Sequence, residues 1–376
     1  MFSLCLVSLL AWSFLTIVPF RPWSTREFFS PKSEIQDIDL QDITVLIPAR
    51  NEEKHIEETL RCLSQQGYGH KIILVDDESI DGTSDKAIKL GIKNLQLVSG
   101  RSPPNGWSGK VWALHQGFKE VSTPLVLLVD ADIKIEPRVL PSLLRKMRED
   151  DYDFVSIMAL LRTNTSWEKL LIPAFIYFFK ILYPFALANN PRSRVAAAAG
   201  GLILTRTQCL REVGGFERIK DEIIDDCALA RAIKDKNMKT WIGLSHAVTT
   251  TRSYESLSNI WHMVARTAYT QLRYSLLLLI LASLSMVLAF VVPIIGLFSG
   301  LSTFFIALTT LALMAFTYKP TISLYNLPTQ WALSLPLGAL FFIMMTWSSA
   351  LRYWKGERSQ WKDRVYSKQI STRVKE

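Results

Sequence analysis

In this 376-residue chain, Val126-Leu127-Leu128-Val129-Asp130-Ala131-Asp132 carries the clearest sign of the fold. An apolar run of strand length ends in two carboxylates separated by one alanine. The pattern predicts a buried β-strand that delivers both acids to the open edge of a sheet, where α/β proteins place their chemistry. If the backbone stays extended, side chains two apart point the same way, and Asp130 and Asp132 can address one divalent cation or one ligand. Taken alone, an Asp-x-Asp is more often a solvated strand-end turn. Its neighbours must decide.

Working outward, residues 43–48 (Ile-Thr-Val-Leu-Ile-Pro) read as another buried strand. Asn51-Glu52-Glu53 then starts a helix, with a capping asparagine, acids at the positive end of the dipole, and Ile56, Leu60 and Leu63 facing inward. Residues 71–75 form a strand ending in Asp76-Asp77-Glu78-Ser79. Residues 95–98 form a third, followed by Gly106-Trp107-Ser108-Gly109-Lys110 and a helix through Phe118. Strands alternating with helices at short intervals imply right-handed crossovers and a mostly parallel sheet. Asp77 and Asp130 then end two strands on one rim. Neither G-x-G-x-x-G nor G-x-x-x-x-G-K-[ST] occurs, so dinucleotide and P-loop enzymes lack their phosphate cradles.

Downstream, residues 153–159 are a further strand. Residues 167–188 are nearly all apolar but contain Lys169, Lys180, Pro173 and Pro184, and are expected to form a membrane-surface or acceptor-tunnel helix, because Lys180 would sit near the middle of a span. Ala196 to Gly201 offers small side chains that let a ligand approach backbone. Asp225-Asp226 opens a helix, where acids also occur simply as caps and dipole partners.

The composition is 49% hydrophobic with a net charge of +9, and the apolar residues gather at both ends. No charge interrupts residues 2–20, and no basic start or small-x-small site marks a cleaved signal, so an uncleaved anchor is expected. Residues 254–274 repeat apolar and aromatic side chains at helical spacing with Arg266 and Arg273, as in an interfacial helix. Three candidate spans follow, at 276–298, 301–318 and 333–351. The basic residues flank these segments (Arg21, Arg26, Lys32; Arg352, Lys355, Arg358, Lys362, Arg364, Lys368), the pattern of cytoplasmic flanks rather than of a nucleic-acid surface. With domain and tail both cytoplasmic, an even number of segments must cross after the domain, and the shortest, 301–318, is the candidate for re-entry. Four scattered cysteines and five histidines without metal-ligand spacing fit a reduced compartment and argue against zinc.

Pro48-Ala49-Arg50-Asn51-Glu52, Val75-Asp76-Asp77-Glu78-Ser79-x-Asp81-Gly82-Thr83, Gly109-Lys110-x-x-Ala113-Leu114-x-x-Gly117, Asp130-Ala131-Asp132, Gly200-Gly201, Val213-Gly214-Gly215-Phe216 and Asp225-Asp226-x-x-Leu229-Ala230 resemble, in order, the motifs of family 2 glycosyltransferases of the GT-A fold. Pro104-x-Gly106-Trp107-x-Gly109-Lys110, Leu171-Ile172-Pro173-Ala174-Phe175, Tyr183-Pro184-Phe185 and the stretch 265–274 look most like the membrane-bound hopene-associated (hopanoid biosynthesis) branch.

The resemblance implies a Rossmann-like GT-A domain at 43–252, after an anchor (1–20) and linker (21–42), and before an interfacial helix (253–274), a transmembrane region of two or three helices (275–351) and a basic cytoplasmic tail (352–376). It implies that Asp130 and Asp132 hold Mg²⁺ or Mn²⁺ against the diphosphate of a nucleotide sugar, expected to be a UDP-sugar. Pro48, Ala49, Arg50, Glu52 and Asp77 would hold the nucleoside, and Lys110 would sit near the phosphates. Asp226 would be the base for the acceptor hydroxyl, oriented by Asp225, giving inversion. Gln271-Leu272-Arg273-Tyr274 is similar to the Q-x-x-R-W donor element, with shortened spacing and tyrosine for tryptophan. Arg50 stands where many relatives have an aromatic residue, and Asp225 where glutamate is commoner. The expected reaction is transfer of a sugar to a membrane lipid hydroxyl, a hopanoid or other polyisoprenoid. The alternatives are a polyprenyl-phosphate acceptor and a non-catalytic lipid-binding protein that retains the fold.

Overall fold

The computed structural model describes residues 1–32, 39–362 and 364–367. The chain divides into two compact units, each assembled from separate stretches. The first comprises Glu27–Arg162, Leu187–Ser253 and Gln360–Glu376; the second comprises Met1–Arg26, Thr163–Ala186 and Tyr254–Ser359.

The first unit is built on an eight-stranded sheet of β1 (Ile43–Ala49), β2 (Lys71–Asp76), β3 (Leu95–Ser99), β4 (Leu125–Val129), β5 (Ile133–Ile135), β6 (Phe154–Leu160), β7 (Leu202–Arg206) and β8 (Thr240–Thr250). Its strand order is β3-β2-β1-β4-β7-β6-β8-β5. The expected strands are all present, but the sheet is mixed. β1 runs parallel to β2 and β4, and β2 to β3. β7 is antiparallel to both β4 and β6, β6 is parallel to β8, and β5 is antiparallel to β8. Strands β1 to β4, β6 and β8 therefore share one direction, and β7 and β5 are reversed.

The consequence is functional. The carboxyl ends of β1, β2, β4 and β8 share a rim, and reversal brings the start of β7, preceded by Gly200-Gly201, to that same rim. Side chains along β4 alternate between two cores: Val126 and Leu128 pack with Leu46, Val111 and Leu229 on one face. Leu127 and Val129 pack with Val45, Ile47 and Leu143 on the other. A strand buried on both faces is apolar throughout, which is why 126–129 carries no polar residue. The helix Gly109–Phe118 lies against β1 and β2 through Gly117, where a Cβ would meet the side chain of Leu46 and stand 2.5 Å from Val75 Cγ2.

The second unit is helical. Among the described residues, three helices are long and apolar enough to cross a membrane: Leu276–Gly296, Leu301–Leu324 and Thr329–Trp354. The middle one extends six residues beyond the expected 301–318, which removes shortness as the reason to make it re-entrant. The N-terminal helix, Phe2–Ile17, stops before Pro19 because the residue preceding proline is driven out of helical geometry. Its 16 residues span about 24 Å, less than the ~30 Å hydrocarbon core, so it is shorter than the expected anchor of residues 1–20.

Two further expectations are corrected here. Residues 167–188 do not form one helix: Ser166–Leu182 opens with a Thr165/Glu168 capping box, ends before Pro184, and is followed by the short helix Phe185–Ala188. Lys180 thus sits in the last turn, not the middle. It is buried, with its ammonium donating to Trp23 O (3.3 Å), Ser24 O (3.2 Å) and Thr321 Oγ1 (3.0 Å). Residues 254–274 likewise break into Leu257–Ala265 and Ala268–Gln271. Part of the expected 21–42 linker (33–38) and the end of the expected basic tail, including Lys368, lie outside the described residues.

Candidate active site

At the end of β4 the backbone does not stay extended. The Ile133 amide donates to Asp130 O at 3.2 Å, closing a four-residue turn over Asp130-Ala131-Asp132 before β5 begins. The alternation that would point both acids the same way is lost, and each meets a different cation. Asp130 Oδ1 lies 2.8 Å from Lys110 Nζ. Asp132 Oδ2 accepts Arg252 Nε at 2.7 Å.

Lys110 enters from the first turn of the helix that Gly109 opens. It also reaches Asp225 Oδ2 at 3.4 Å, so one ammonium bridges the β4 acid and the acid pair at the start of helix Asp225–Lys234. Asp226 is fixed by backbone: its Oδ2 accepts the Gly200 amide and its Oδ1 the Cys227 amide, both at 2.7 Å. Gly200 presents its bare backbone to all three charged side chains. A Cβ there would lie 3.0 Å from Lys110 Nζ, 3.4 Å from Asp226 Oδ2 and 3.6 Å from Asp130 Oδ2. Pro48, Lys110, Asp130, Gly200, Asp225 and Asp226 line one pocket on the rim.

The charges of this cluster are set by burial and by each other. Burial, reinforced by the Asp225 carboxylate, pushes Asp226 up to about 6, against the opposing pull of Lys110 and two amide bonds. Burial also raises Asp130, with Lys110 opposing and Asp132 adding to the rise. For Lys110, burial alone would lower the pKa, but Asp130 and Asp225 together outweigh it and hold the ammonium firmly protonated. A buried carboxylate whose proton affinity is brought near neutrality is what a general base for a hydroxyl requires.

The turn after β1 is laced to the turn after β2. Arg50 Nη1 donates to Asp77 O (2.5 Å) and Glu78 O (2.9 Å), and Asn51 Oδ1 accepts the Ile80 amide at 2.9 Å. Asn51 and Glu78 both have left-handed backbone, φ +52° and +55°, which sharpens the two turns. Asp77 is fully buried and its amide donates to Ala49 O at 2.8 Å. Glu52 turns away from the pocket: both its oxygens accept Arg252 Nη2 (2.8 and 2.7 Å), and Lys362 Nζ stands 2.5 Å from Oε1. Burial raises the Glu52 pKa, opposed by Arg252 and Lys362.

Gln271, Arg273 and Tyr274 belong to the helical unit. There Tyr183 Oη donates to Gln271 Oε1 at 2.6 Å, Arg273 and Tyr274 form a left-handed turn (φ +51° and +55°), and the Tyr274 ring stacks on Tyr353 with centroids 4.3 Å apart. Sequence reasoning missed Arg252 and Lys362. Arg252 was within reach of the rim argument, since it directly follows β8; Lys362 gave no local signal.

Among the described residues no group of three or more His, Cys, Asp or Glu is placed to hold a metal ion. The donor set nonetheless fits one kind of cation. Mg²⁺-like ions bind through one or two carboxylates and take their remaining oxygens from substrate phosphates and water. Asp130 and Asp132, at one strand end, would supply two such carboxylate oxygens, and each is paired with a positive group.

Residues 44–214 match the sequence model of the Glycosyl transferase family 2 family. Among curated proteins, the chain is 37% identical over 95 residues to a 4,4'-diaponeurosporenoate glycosyltransferase of Staphylococcus haemolyticus, covering 25% of each chain. It is 34% identical over 108 residues to a dolichol-phosphate mannosyltransferase of Pyrococcus furiosus, covering 28% of this chain and 30% of that one. The matched region thus spans about a quarter to a third of these relatives. Among solved structures, the mannosyltransferase PcManGT from Pyrobaculum calidifontis, in complex with GDP-Man and Mn²⁺, is similar over 90% of this chain and 98% of its own, with a TM-score of 0.55 at 18% identity. That likeness is one of fold: a mixed, Rossmann-like sheet of GT-A type.

Proposed function

We propose, from the family 2 glycosyltransferase domain that residues 44–214 form, that the whole chain is a membrane-bound inverting glycosyltransferase moving a sugar from a nucleotide-sugar donor to a lipid hydroxyl. The observation that carries this reading is Asp226. It is buried, held by two backbone amides, raised to about 6, and 26 residues in sequence but one hydrogen bond in space from Gly200.

In this reading the Asp130 and Asp132 carboxylates would hold a divalent cation, Mg²⁺ or Mn²⁺, which when bound neutralises the diphosphate that leaves. Lys110, 2.8 Å from Asp130, would stand beside the phosphates. The turn at Pro48, Ala49 and Arg50, tied to the Asp77 turn, positions the nucleoside. Asp226 accepts the proton of the acceptor hydroxyl while that oxygen attacks the anomeric carbon opposite the departing diphosphate, and Asp225, 3.4 Å from Lys110, adds to the rise that keeps Asp226 basic.

The acceptor is read as a hopanoid or other polyisoprenoid. Relatives named for diaponeurosporenoate and for dolichol phosphate, together with three helices long and apolar enough to span, support a lipid. A polyprenyl phosphate is the second reading, favoured by the dolichol-phosphate relative. A phosphate monoester arrives deprotonated and needs no base, so a carboxylate tuned towards neutrality favours the hydroxyl.

The membrane topology is read in the same way, supported by one contact. Ser253 ends a stretch of the sheet unit, and Lys362, after the last apolar helix, returns to Glu52 of the same unit. With that unit on one side of the bilayer, this reading takes an even number of complete crossings between residues 253 and 360 and, from the basic flanks, the cytoplasmic side. Purified protein incubated with labelled UDP- and GDP-sugars and extracted membrane lipids tests the function. Label should enter the lipid fraction, and undiminished transfer by Asp226→Asn would sink the assigned base.

A further inference from the structure

Glu52 and Asp132 put two carboxylates against one cation from the sheet, Arg252, whose guanidinium bridges them. The second cation, Lys362, comes from the far end of the chain. Lys362 lies at the turn of a two-stranded ribbon, β9 (Glu357–Trp361) and β10 (Arg364–Ser367), with left-handed backbone at φ +52°. Its ammonium contacts Glu52 Oε1 at 2.5 Å and donates to Asn51 O at 3.3 Å. Both partners are shielded: the side chains of Glu52 and Lys362 are 8% and 18% exposed.

The grip falls on a particular piece of backbone. On its other side, the Asn51–Glu53 turn is fastened to the loop after β2, through Asn51 N to Ser79 Oγ (3.0 Å), Glu52 N to Thr83 Oγ1 (2.8 Å) and Glu53 N to Asp81 Oδ2 (3.1 Å). Lys362 supplies the opposing tie. Arg252 cannot do this alone, because it is shared with Asp132. Arg252 divides its donors between Glu52 and Asp132, whereas Lys362 reaches both the Glu52 carboxylate and the Asn51 carbonyl, the turn itself. Two acids and two cations make the set neutral before the donor enters, so a donor bringing its own cation is met by no uncompensated buried charge.

From these contacts we infer that the C-terminal ribbon is a strap over the donor end of the site, and that Lys362 is a positioning residue that holds the nucleotide-binding turn in its productive shape. The inference rests on the glycosyltransferase reading and adds to it a role for a segment outside the matched family region. Lys362 touches no substrate in this scheme. Its loss should loosen the turn and weaken the donor, leaving the acceptor alone.

The test uses the full chain in detergent micelles. Calorimetry with UDP and with GDP in the presence of Mn²⁺ should show Lys362→Ala binding the preferred nucleotide about tenfold more weakly than the unsubstituted protein, the size expected for losing one charge-assisted tie. Lys362→Arg should restore most of the affinity. In turnover, the donor KM should rise while the lipid KM stays constant. Unchanged affinity in Lys362→Ala overturns the strap, and tighter binding overturns it too, showing the ribbon to be a plug. Absence of nucleotide binding by the unsubstituted protein would instead overturn the glycosyltransferase reading, and the strap with it. A carbodiimide cross-link between Lys362 and Glu52, mapped by mass spectrometry, reports the contact separately. Its absence under conditions that cross-link Lys110 to Asp130 overturns the inference.

Discussion

Replacing Asp226 with asparagine should make the protein more stable at alkaline pH while removing its activity. Burial and the neighbouring Asp225 raise the Asp226 carboxyl from its ordinary 3.8 to about 6. That difference of roughly two units corresponds to about 3 kcal/mol. A raised folded-state pKa contributes stability that is present below the unfolded value, near 4, and lost as pH rises through about 6, so above pH 7 the ionised Asp226 is a burden on the folded state. Asparagine removes the charge and keeps the shape. Its carbonyl can still accept one amide, but its NH₂ then faces the other of Gly200 and Cys227, which returns about 1 kcal/mol or more. The net expectation at pH 8 is a gain of about 1–2 kcal/mol, read as a rise of roughly 2–4 °C in the tryptophan-fluorescence melting temperature of detergent-solubilised protein. On acidification to about pH 4 the two proteins should converge. In the unsubstituted enzyme the same titration should appear as an acid limb near pH 6, activity falling as the base is protonated. A variant that is no more stable than the parent at pH 8, or a difference that does not shrink on acidification, would refute a buried, charge-strained Asp226.

Three further outcomes follow from the packing and charges. Gly117→Ala should destabilise the sheet unit by about 1–3 kcal/mol, because its Cβ lands on Leu46 and Val75, and denaturation curves should show it. Lys110→Met leaves Asp130 and Asp225 without their shared cation, so turnover should fall by about a hundredfold or more, and any residual activity should show its acid limb displaced to higher pH, since Lys110 holds Asp226 down. Chelation with EDTA should abolish transfer and added Mn²⁺ or Mg²⁺ should restore it, whereas full activity in chelator would remove Asp130 and Asp132 from metal binding.

The strands and their rim were legible because a strand buried on both faces must be apolar and must end abruptly where acids begin, as at Val129-Asp130. Asp225 and Asp226 were legible as a helix start. What escaped was everything that depends on direction or distance. The reversal of β7 leaves no mark in its own sequence, yet it sets Gly200 against Asp226. The turn closed by the Ile133 amide, not an extended strand, separates Asp130 from Asp132. Lys180 looked like a misfit in a span because Pro184 was not weighed as the end of its helix, and three oxygens satisfy it there. Lys362 could not be foreseen, since an ion pair between distant residues has no periodicity.

The central claim is that this site transfers sugar from a nucleotide to a lipid. It is tested most directly by incubating the purified full chain with radiolabelled UDP- and GDP-sugars, Mn²⁺ and extracted membrane lipids, then measuring label in the organic phase. Lipid-linked label in an inverted anomeric configuration is expected, absent with Asp226→Asn. No transfer from any donor by protein that binds nucleotide and metal, or equal transfer by Asp226→Asn, would contradict it.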